Sequence, residues 1–500
     1  MPIAIPPNLP ILTLIVATPL ASMLIAWLAR TARQAFFIGI VGALLQLMLI
    51  VWVIANFRHD VAGFQFVERL AFTPFLAYSL GLDGINILFL ALTGLLTLLI
   101  ILYGEIVHER PAGVYVASVF AFQSVLTGLF LSIDALEFWV VCVLELIPAS
   151  FILRRWSPET TGMLALKRYL RDMTGSLGLL FLAIILIGWN HASISGDWSF
   201  ELTDVAATPL SPKLQSVVFV LFFYGLAVRM ALFPFHAWLP VVAQHGPLAT
   251  VCVFLVGLKV GIYALMRFVL PLLPDAAQDW KRFVVGLAVL GMFHGALMAL
   301  MQINLRRLLA YATVSNNAML IIGVFCLNTT GLQGALLLTM DFGVAASGLL
   351  FVTGVLHRCT GTSQLPRLGG MFDAFPLLGL TFLLAALSTM AMPGTPGFDA
   401  AHLVLEGAIE MHHWGLAVAV ATGSVAAAAF LLWAFQRAFL AKRRDRSIHP
   451  QTPRLSLPEI MLAFTLCAVM LGVGFYSRPW LEIVNESLTH LANTVDRTAL

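Results

Sequence analysis

The chain has 500 residues, of which 60% are hydrophobic and only 11% are charged, and its mean hydropathy is +0.94. Soluble domains of this size are far more polar, so the composition indicates a membrane protein. The formal net charge of +3 is too small and too dispersed to indicate nucleic-acid binding, and five cysteines without a CxxC pair indicate neither a disulfide framework nor a zinc site.

Apolar segments of membrane-crossing length follow one another along the whole chain. They predict an all-α polytopic protein with about fourteen transmembrane helices, each close to the roughly 20 residues that a bilayer requires. The predicted spans lie near residues 11–29, 35–56, 82–103, 113–132, 135–153, 172–189, 215–234, 248–270, 283–302, 308–327, 332–356, 376–396 (continuing after a break to 411), 415–439 and 457–477. The connections are too short for an independent domain, so we expect a single membrane domain.

Basic residues are concentrated in alternate loops. The loops after odd-numbered spans hold most of them, whereas the others hold only Arg58, Arg69, Lys213, Lys281, Arg282 and Arg478. Arginine and lysine close to transmembrane segments favour the cytoplasmic side. We therefore expect Arg154–Arg171 and Lys442–Arg446 on the cytoplasmic side of the membrane, with the 190–212 loop and both termini outside.

The segment from Gly225 to Lys259 combines a proline break with charge inside apolar helices. An apolar helix that carries Arg229 is interrupted at Pro234, and the next apolar helix carries Lys259. A charge near the bilayer centre costs at least roughly 2.5–3.5 kcal/mol and is usually kept for a pathway or an ion pair. The backbone groups freed at a broken helix must be buried in protein or line a cavity. The pattern is typical of ion-moving membrane proteins, and we expect His236 to line the cavity.

A second broken span lies later in the chain. The twelfth span is interrupted within MPGTPGFD, at Pro393 and Pro396. Two broken spans five helices apart predict two inverted five-helix repeats with broken helices 7 and 12. The corresponding division is peripheral helices in 1–112, a first repeat in 113–270, a second repeat in 283–439, and a C-terminal helix and tail in 440–500.

Six motifs along the chain resemble one family. They are LGLDGINILFLALTGLL, GLFLSIDALEFW, GLAVRMALFPFHAWLP, KVGIYALMRF, NLRRLLAYATVSNNAM and MPGTPGF. Together they resemble the antiporter-like membrane subunits of respiratory complex I, of the NuoM type, with kinship to Mrp antiporter subunits and to DabB of inorganic-carbon uptake complexes. The resemblance implies fourteen helices, two inverted repeats and a chain of charged residues that carries protons through the middle of the membrane.

Several charged positions depart from the family pattern. A gapless alignment of the fifth helix puts Val143 at the family's glutamate, with Glu145 two residues on and about 200° further round the helix. The family's lysine in the seventh helix is Arg229, while its lysine in the eighth helix is Lys259. Three further ionisable positions fall on Asn316, Phe342 and Ala401, with Asp341, His402 and Glu406 close by in sequence.

The candidate pathway residues are therefore Lys259, Glu145, Arg229, Asp341, His236, His402 and Glu406. Lys259 is expected either to relay protons or to form a structural pair with Asp341 or Glu145. Arginine does not release its proton, so we expect Arg229 to be a fixed counter-charge held by Glu145. Glu145 is itself either a displaced relay group or a cap for a polar interface. The i,i+4 pair His402 and Glu406 is better explained as the polar face of an amphipathic helix than as a metal or proton site.

No nucleotide loop, metal-ligand set or nucleophile constellation indicates an enzyme in its own right, and no cofactor is expected. The resemblance implies a proton- or cation-moving subunit that works with partners. Because the charged positions depart from complex I, we favour the membrane subunit of a dissolved-inorganic-carbon uptake complex with a cytoplasmic, zinc-containing, carbonic-anhydrase-like partner. The alternatives are a NuoM-type proton-pumping subunit of a complex I-like oxidoreductase or hydrogenase, and a structural subunit that no longer conducts.

Overall fold

The computed structural model describes residues 10–73, 76–158, 160–411, 414–442 and 456–496. Within these ranges the first half of the chain is almost entirely helical. Its helices are α1 (Ile11–Trp27), α2 (Ala32–Ala55), α3 (Asn86–Ile106), α4 (Ala112–Leu131), α5 (Ala135–Trp156), α6 (Gly162–Ser195), α7 (Leu202–Ala206), α8 (Pro212–Arg229), α9 (Trp238–His245), α10 (Val251–Gly257), α11 (Val260–Ala264) and α12 (Leu270–Leu272).

The second half continues the same architecture. Its helices are α13 (Pro274–Leu300), α14 (Leu305–Val324), α15 (Thr329–Thr360), α16 (Met371–Ala374), α17 (Pro376–Thr389), α18 (Pro396–Glu410), α19 (Trp414–Phe435), α20 (Leu457–Phe475) and α21 (Arg478–Asp496). A 3₁₀ turn spans Phe235–Ala237, and π-helical turns span Leu265–Val269 and Gln436–Leu440.

Local sequence explains where many of these helices begin and end. Capping boxes start α2 at Thr31 and α20 at Ser456. Proline occupies the first helical position of α8, α13, α17 and α18, where its missing N–H costs nothing. Gly196 and Gly361 end α6 and α15 in the left-handed conformation that glycine adopts without strain.

Eleven helices in the described ranges are long and apolar enough to cross a membrane, and Ile11–Trp27 and Pro376–Thr389 are shorter apolar helices. Helix α14 is more polar but buried along its whole length. Helix α15 lies at the centre of the bundle, where it packs against α3, α10, α14, α17, α18, α20 and α21. The polytopic helical fold is confirmed, while the count of fourteen crossings stays a prediction.

A β-hairpin departs from the predicted all-α fold. Strands β1 (Gln65–Thr73) and β2 (Leu76–Leu82) pair antiparallel with Arg69 opposite Ser79, in the connection between the second and third predicted spans. The hairpin packs against the start of α1, where the Glu68 carboxylate accepts hydrogen bonds from the backbone N–H groups of Leu12 (2.7 Å) and Thr13 (2.8 Å). A carboxylate at a helix N-terminus satisfies N–H groups that have no partner within the helix.

The seventh and twelfth predicted spans are interrupted in the same way. Helix α8 ends at Arg229 and α17 ends at Thr389, and two residues later Ala231 and Ala391 adopt left-handed backbone angles, φ 52° and 59°. In both breaks the next residue donates its N–H to the carbonyl five residues earlier, Leu232 to Ala227 (2.9 Å) and Met392 to Leu387 (3.1 Å). Both helices therefore end before the prolines at which the breaks are predicted, Pro234 in the seventh span and Pro393 and Pro396 in the twelfth, and Pro396 begins the next helix, α18.

The eighth predicted span, expected to be continuous, is also interrupted. Helix α10 ends at Gly257, Lys259 adopts φ 46° and ψ 45°, and α11 begins at Val260. Left-handed angles are costly for a residue with a side chain and persist only where the surrounding structure enforces them. Lys259 thus lies at a backbone break rather than inside a regular helix.

Candidate functional site

The first buried charge cluster joins α5 to the end of α8. Arg229 is the last residue of α8, and its Nη2 donates to Oε2 of Glu145, in the middle of α5. Both side chains are almost fully buried, with 4% and 2% of their surfaces exposed. The expected Arg229–Glu145 contact is therefore present. The gapless alignment implied that Glu145 faces a different side of α5 from the family's glutamate. This expectation is corrected, because the Glu145 carboxylate faces the end of α8.

The Arg229 guanidinium is only partly satisfied by the protein. Its Nε and Nη1 are buried and have no hydrogen-bond partner in the described part of the chain. Buried charged donors are costly when left unpaired. The Glu145 carboxylate is therefore the one group in the described part of the chain that compensates the buried charge of Arg229.

Lys259 is buried between α10 and α11, and it has no ionic partner in the described part of the chain. A Cβ at Gly261, two residues on, would lie 3.2 Å from the carbonyl oxygen of Leu226, so α11 packs closely against the last turn of α8. Among the described residues, none forms an ion pair with Lys259, whose exposed fraction is 4%. The predicted structural pair with Asp341 or Glu145 is not formed.

Asp341 occupies the neighbouring central helix α15. Helices α10 and α15 meet at two glycines, since a Cβ at Gly343 would lie 2.8 Å from the carbonyl oxygen of Gly257. Oδ1 of Asp341 accepts a hydrogen bond from Ser388, one residue before the end of α17, whereas the buried Oδ2 has no partner in the described ranges. The breaks at Lys259 and after α17 are thus connected through α15.

A close backbone approach and a cavity flank the Asp341 carboxylate. A Cβ at Gly397 would lie 2.8 Å from Oδ2, so only glycine lets the first turn of α18 come this close. Asp341 also lines a largely apolar cavity of ≈ 120 Å³, together with Leu92, Met470 and Trp480. A buried carboxylate oxygen without a partner is costly when ionised, so it favours binding a proton or a cation.

His236 lies in the 3₁₀ turn beyond the break of the seventh span. Its ring is half-buried and contacts the rings of His294 on α13 (5.1 Å between centroids) and Tyr311 on α14 (5.9 Å). The Nδ1 atom of His236 is buried without a partner in the described residues. His294 was missed in the sequence analysis because a single histidine in an apolar helix carries no spacing signal.

His402 and Glu406 lie on the exposed face of α18. Their side chains are 61% and 53% exposed, and Nδ1 of His402 lies 3.9 Å from Oε2 of Glu406. The structure does not bring them into the buried set formed by Glu145, Arg229, Lys259 and Asp341. Their placement fits the amphipathic-face interpretation.

Asn317 on α14 is a polar contact that the sequence analysis did not single out. Its side-chain amide donates to the carbonyl of Met230, inside the break that follows α8. The adjacent Asn316, at the position of the family's histidine, is also buried. Carbonyls freed where a helix stops need such donors inside a membrane protein.

The chain matches the sequence model of a known protein family. The model described as NADH:quinone oxidoreductase/Mrp antiporter, transmembrane, matches residues 132–427, which is more than half of the chain. The chain belongs to this family. The family match confirms the resemblance drawn from the six motifs.

Members with established names are similar over most of the chain. Subunit M of the NADH-quinone oxidoreductase of Escherichia coli (strain K12) is 28% identical over 418 residues, which cover 82% of each chain. Chain 4 of the NADH-ubiquinone oxidoreductase of Marchantia polymorpha is 28% identical over 484 residues, which cover 95% of this chain and 96% of that one. The chain is thus an antiporter-like membrane subunit of the NuoM type.

Solved structures agree with this membership. A chain of respiratory complex I from Thermus thermophilus superposes with a TM-score of 0.87 at 26% identity, covering 97% of this chain and 99% of that one. A chain of the Mrp complex from Dietzia sp. DQ12-45-1b gives the same TM-score at 20% identity, which shows a shared fold. These antiporter-family similarities favour the NuoM-type alternative, and the inorganic-carbon interpretation receives no support from them.

Proposed function

We propose that this chain is a proton-translocating, NuoM-type subunit of a complex I-like redox complex, in which Lys259 takes up and releases the proton. The observation that carries the proposal is the position of Lys259, which is buried at a backbone break and has no ionic partner within the described ranges. A lysine in that setting can exchange its proton, whereas an arginine keeps its charge.

The remaining charged groups divide between two roles. Arg229 and Glu145 form a lasting pair that sets a fixed positive and a fixed negative charge beside the path. Asp341, whose Oδ2 has no hydrogen-bond partner among the described residues, is the second group that binds and releases protons. His236 lines the proton path at the first break. His402 and Glu406 remain outside this path because they lie on an exposed surface.

The proposal includes the arrangement of the chain in the membrane. Fourteen crossings place both termini on the outer side of a bacterial inner membrane, and the spans in 113–270 and 283–439 form two inverted repeats. The matching backbone pattern at Ala231 and Ala391 supports the repeats. The division into peripheral helices, two repeats and a C-terminal part follows from them.

The partners are the other subunits of the membrane complex, which supply the driving reaction. The relatives named above are subunits of NADH-quinone and NADH-ubiquinone oxidoreductases. Affinity purification of the native complex through this chain, followed by an assay of NADH oxidation with quinone in proteoliposomes, tests the proposal. Quinone reduction coupled to proton movement is expected. Co-purification of a zinc-containing hydratase without redox subunits would contradict it.

A further inference from the structure

The motif KVGIYALMRF extends beyond Lys259 and contains two buried polar residues that the path does not use. Tyr263 and Arg267 follow Lys259 at spacings of four and eight residues. Arg267 lies in the π-helical turn Leu265–Val269, and both side chains are buried. We infer that Asp83, Arg267 and Tyr263 form a positioning network that holds Lys259 in its left-handed conformation, an inference that rests on the proposed function of Lys259.

The network begins with a two-point ion pair. Nη1 and Nη2 of Arg267 donate to the two carboxylate oxygens of Asp83, at 2.8 Å and 2.5 Å. The guanidinium also lies over the ring of Phe64, 4.9 Å from its centroid. Such a planar, bidentate arrangement fixes the orientation as well as the position of arginine, which lysine cannot reproduce.

Asp83 is itself immobilised at the start of α3. Its Oδ1 accepts hydrogen bonds from the backbone N–H groups of Ile85 (2.9 Å) and Asn86 (3.1 Å). The next residue, Gly84, donates its N–H to Ser487 on α21 (3.1 Å). The Asp83 carboxylate is therefore fixed to the start of α3, and the adjacent backbone at Gly84 is fixed to α21.

Tyr263 carries this constraint to Lys259. Its hydroxyl accepts a hydrogen bond from Nε of Arg267 (3.3 Å) and donates to the carbonyl of Phe130 on α4 (2.9 Å). One turn earlier, the backbone N–H of Tyr263 donates to the carbonyl of Lys259 (3.2 Å). Fixing the ring of Tyr263 thus fixes the first turn of α11 and the direction in which that helix leaves Lys259.

The network is separate from the charges that face the path. Apart from Arg267 itself, the described elements packed against α10 and α11 carry the buried charged groups Glu137, Glu145, Arg229 and Asp341. The described residues show no ion pair from any of these groups to Asp83 or Arg267. Arg267 differs from Arg229 in that each of its side-chain nitrogens has a partner. Its role is therefore to position the backbone, while proton transfer belongs to Lys259.

The test compares Arg267→Lys with the unmodified complex in proteoliposomes, with assembled yield and the pH profile of proton movement as readouts. Arg267→Lys keeps the positive charge but lacks the planar guanidinium that donates two hydrogen bonds to the Asp83 carboxylate. We expect normal assembly, a loss of proton movement of about 10- to 100-fold and a displaced pH profile, because Lys259 is misplaced. A normal rate with an unchanged profile would overturn the inference.

A milder substitution keeps the inference testable if Arg267→Lys does not assemble. Tyr263→Phe removes only the hydroxyl, and we expect it to assemble with a displaced pH profile. Its matched control is Tyr103→Phe, which removes a buried hydroxyl near the other end of α3 and should leave the profile unchanged. An unchanged profile in Tyr263→Phe, or an equal displacement in the control, would overturn the inference.

Lys259→Ala separates this inference from the proposed function. If Lys259→Ala moves protons normally, the proposed function itself fails. If Lys259→Ala is inactive while Arg267→Lys and Tyr263→Phe are unaffected, only the positioning network is wrong.

Discussion

The guanidinium of Arg229 and the carboxylate of Glu145 form an ion pair between the last residue of α8 and the middle of α5. The pair lies where the family resemblance implies a lysine partnered by a glutamate. Because arginine stays charged, the position keeps its charge and loses its capacity to exchange a proton. We therefore assign a static role to Arg229 and proton exchange to Lys259.

The static role of Arg229 predicts an assembly defect. Arg229→Ala leaves the buried Glu145 carboxylate without a partner, and breaking a buried pair in this way typically costs about 3–5 kcal/mol. We expect a strongly reduced yield of assembled complex, partial recovery in Arg229→Ala with Glu145→Gln, and near-normal assembly in Arg229→Lys. Normal assembly of Arg229→Ala would show that the pair is dispensable.

Asp341 is predicted to be required for proton movement but not for assembly. Asp341→Asn preserves the shape of the side chain and removes its capacity to carry a proton, so we expect intact complex with proton movement lowered at least about tenfold. Ser388→Ala is the matched control, since it removes one hydrogen bond to the same carboxylate and should lower the rate far less. Equal losses of proton movement in the two variants would show that Asp341 is required for packing and not for carrying a proton.

The buried carboxyl of Asp134, just before the start of α5, should make the stability of the subunit depend on pH. Burial raises the pKa of its carboxyl to about 6, although backbone N–H groups of α5 act in the opposite direction. The pKa of an aspartate in the unfolded chain is about 3.9, so the native state binds this proton more tightly than the unfolded state does. The stability that the protonated Asp134 gives to the native state is therefore lost as the pH rises from about 4 to about 6. Asp134→Asn should therefore stabilise the subunit by about 1–3 kcal/mol at pH 8 and much less at pH 4. Thermal unfolding in detergent at both pH values measures this, and an equal shift at both would contradict it.

Much of the helical fold and its charges could be predicted from the sequence because bilayer length and apolarity dominate the pattern. The family motifs pointed to Arg229 and Lys259, and Glu145 was expected as the partner of Arg229 although it lies two residues beyond the aligned position. The contact between Arg229 and Glu145 is present in the structure. The preference for an inorganic-carbon role receives no support. It rests on the lost ionisable positions, whereas the chain is similar to NADH-quinone oxidoreductase subunits over most of its length, which supports the NuoM-type alternative.

Other features could not be predicted, for physical reasons. The break at Lys259 has no proline to announce it, because the left-handed angle is imposed by packing around α10 and α11 rather than by local propensity. The hairpin β1–β2 is short and mixed in polarity, so neither a helical nor a strand period stands out. The partner of Asp341, Ser388, lies 47 residues away and becomes visible only once α15 and α17 are packed.

The loop charges predict the orientation of the chain in the membrane. Single cysteines placed at Ser199 in the 190–212 loop and at Lys167 in α6 should react from opposite sides with a membrane-impermeant thiol reagent, the first from outside and the second from the cytoplasm. The five native cysteines are replaced beforehand so that only the introduced thiol reports. Labelling of the Lys167 position from outside would reverse the predicted topology.

The most direct test of proton exchange at Lys259 is the rate of proton movement in assembled complexes that carry Lys259→Arg or Lys259→Ala. The account predicts that both variants assemble and that both fail to move protons, because arginine retains the charge but does not release its proton. Full proton movement in Lys259→Arg would contradict it, by showing that a fixed positive charge at the break is all that the protein requires.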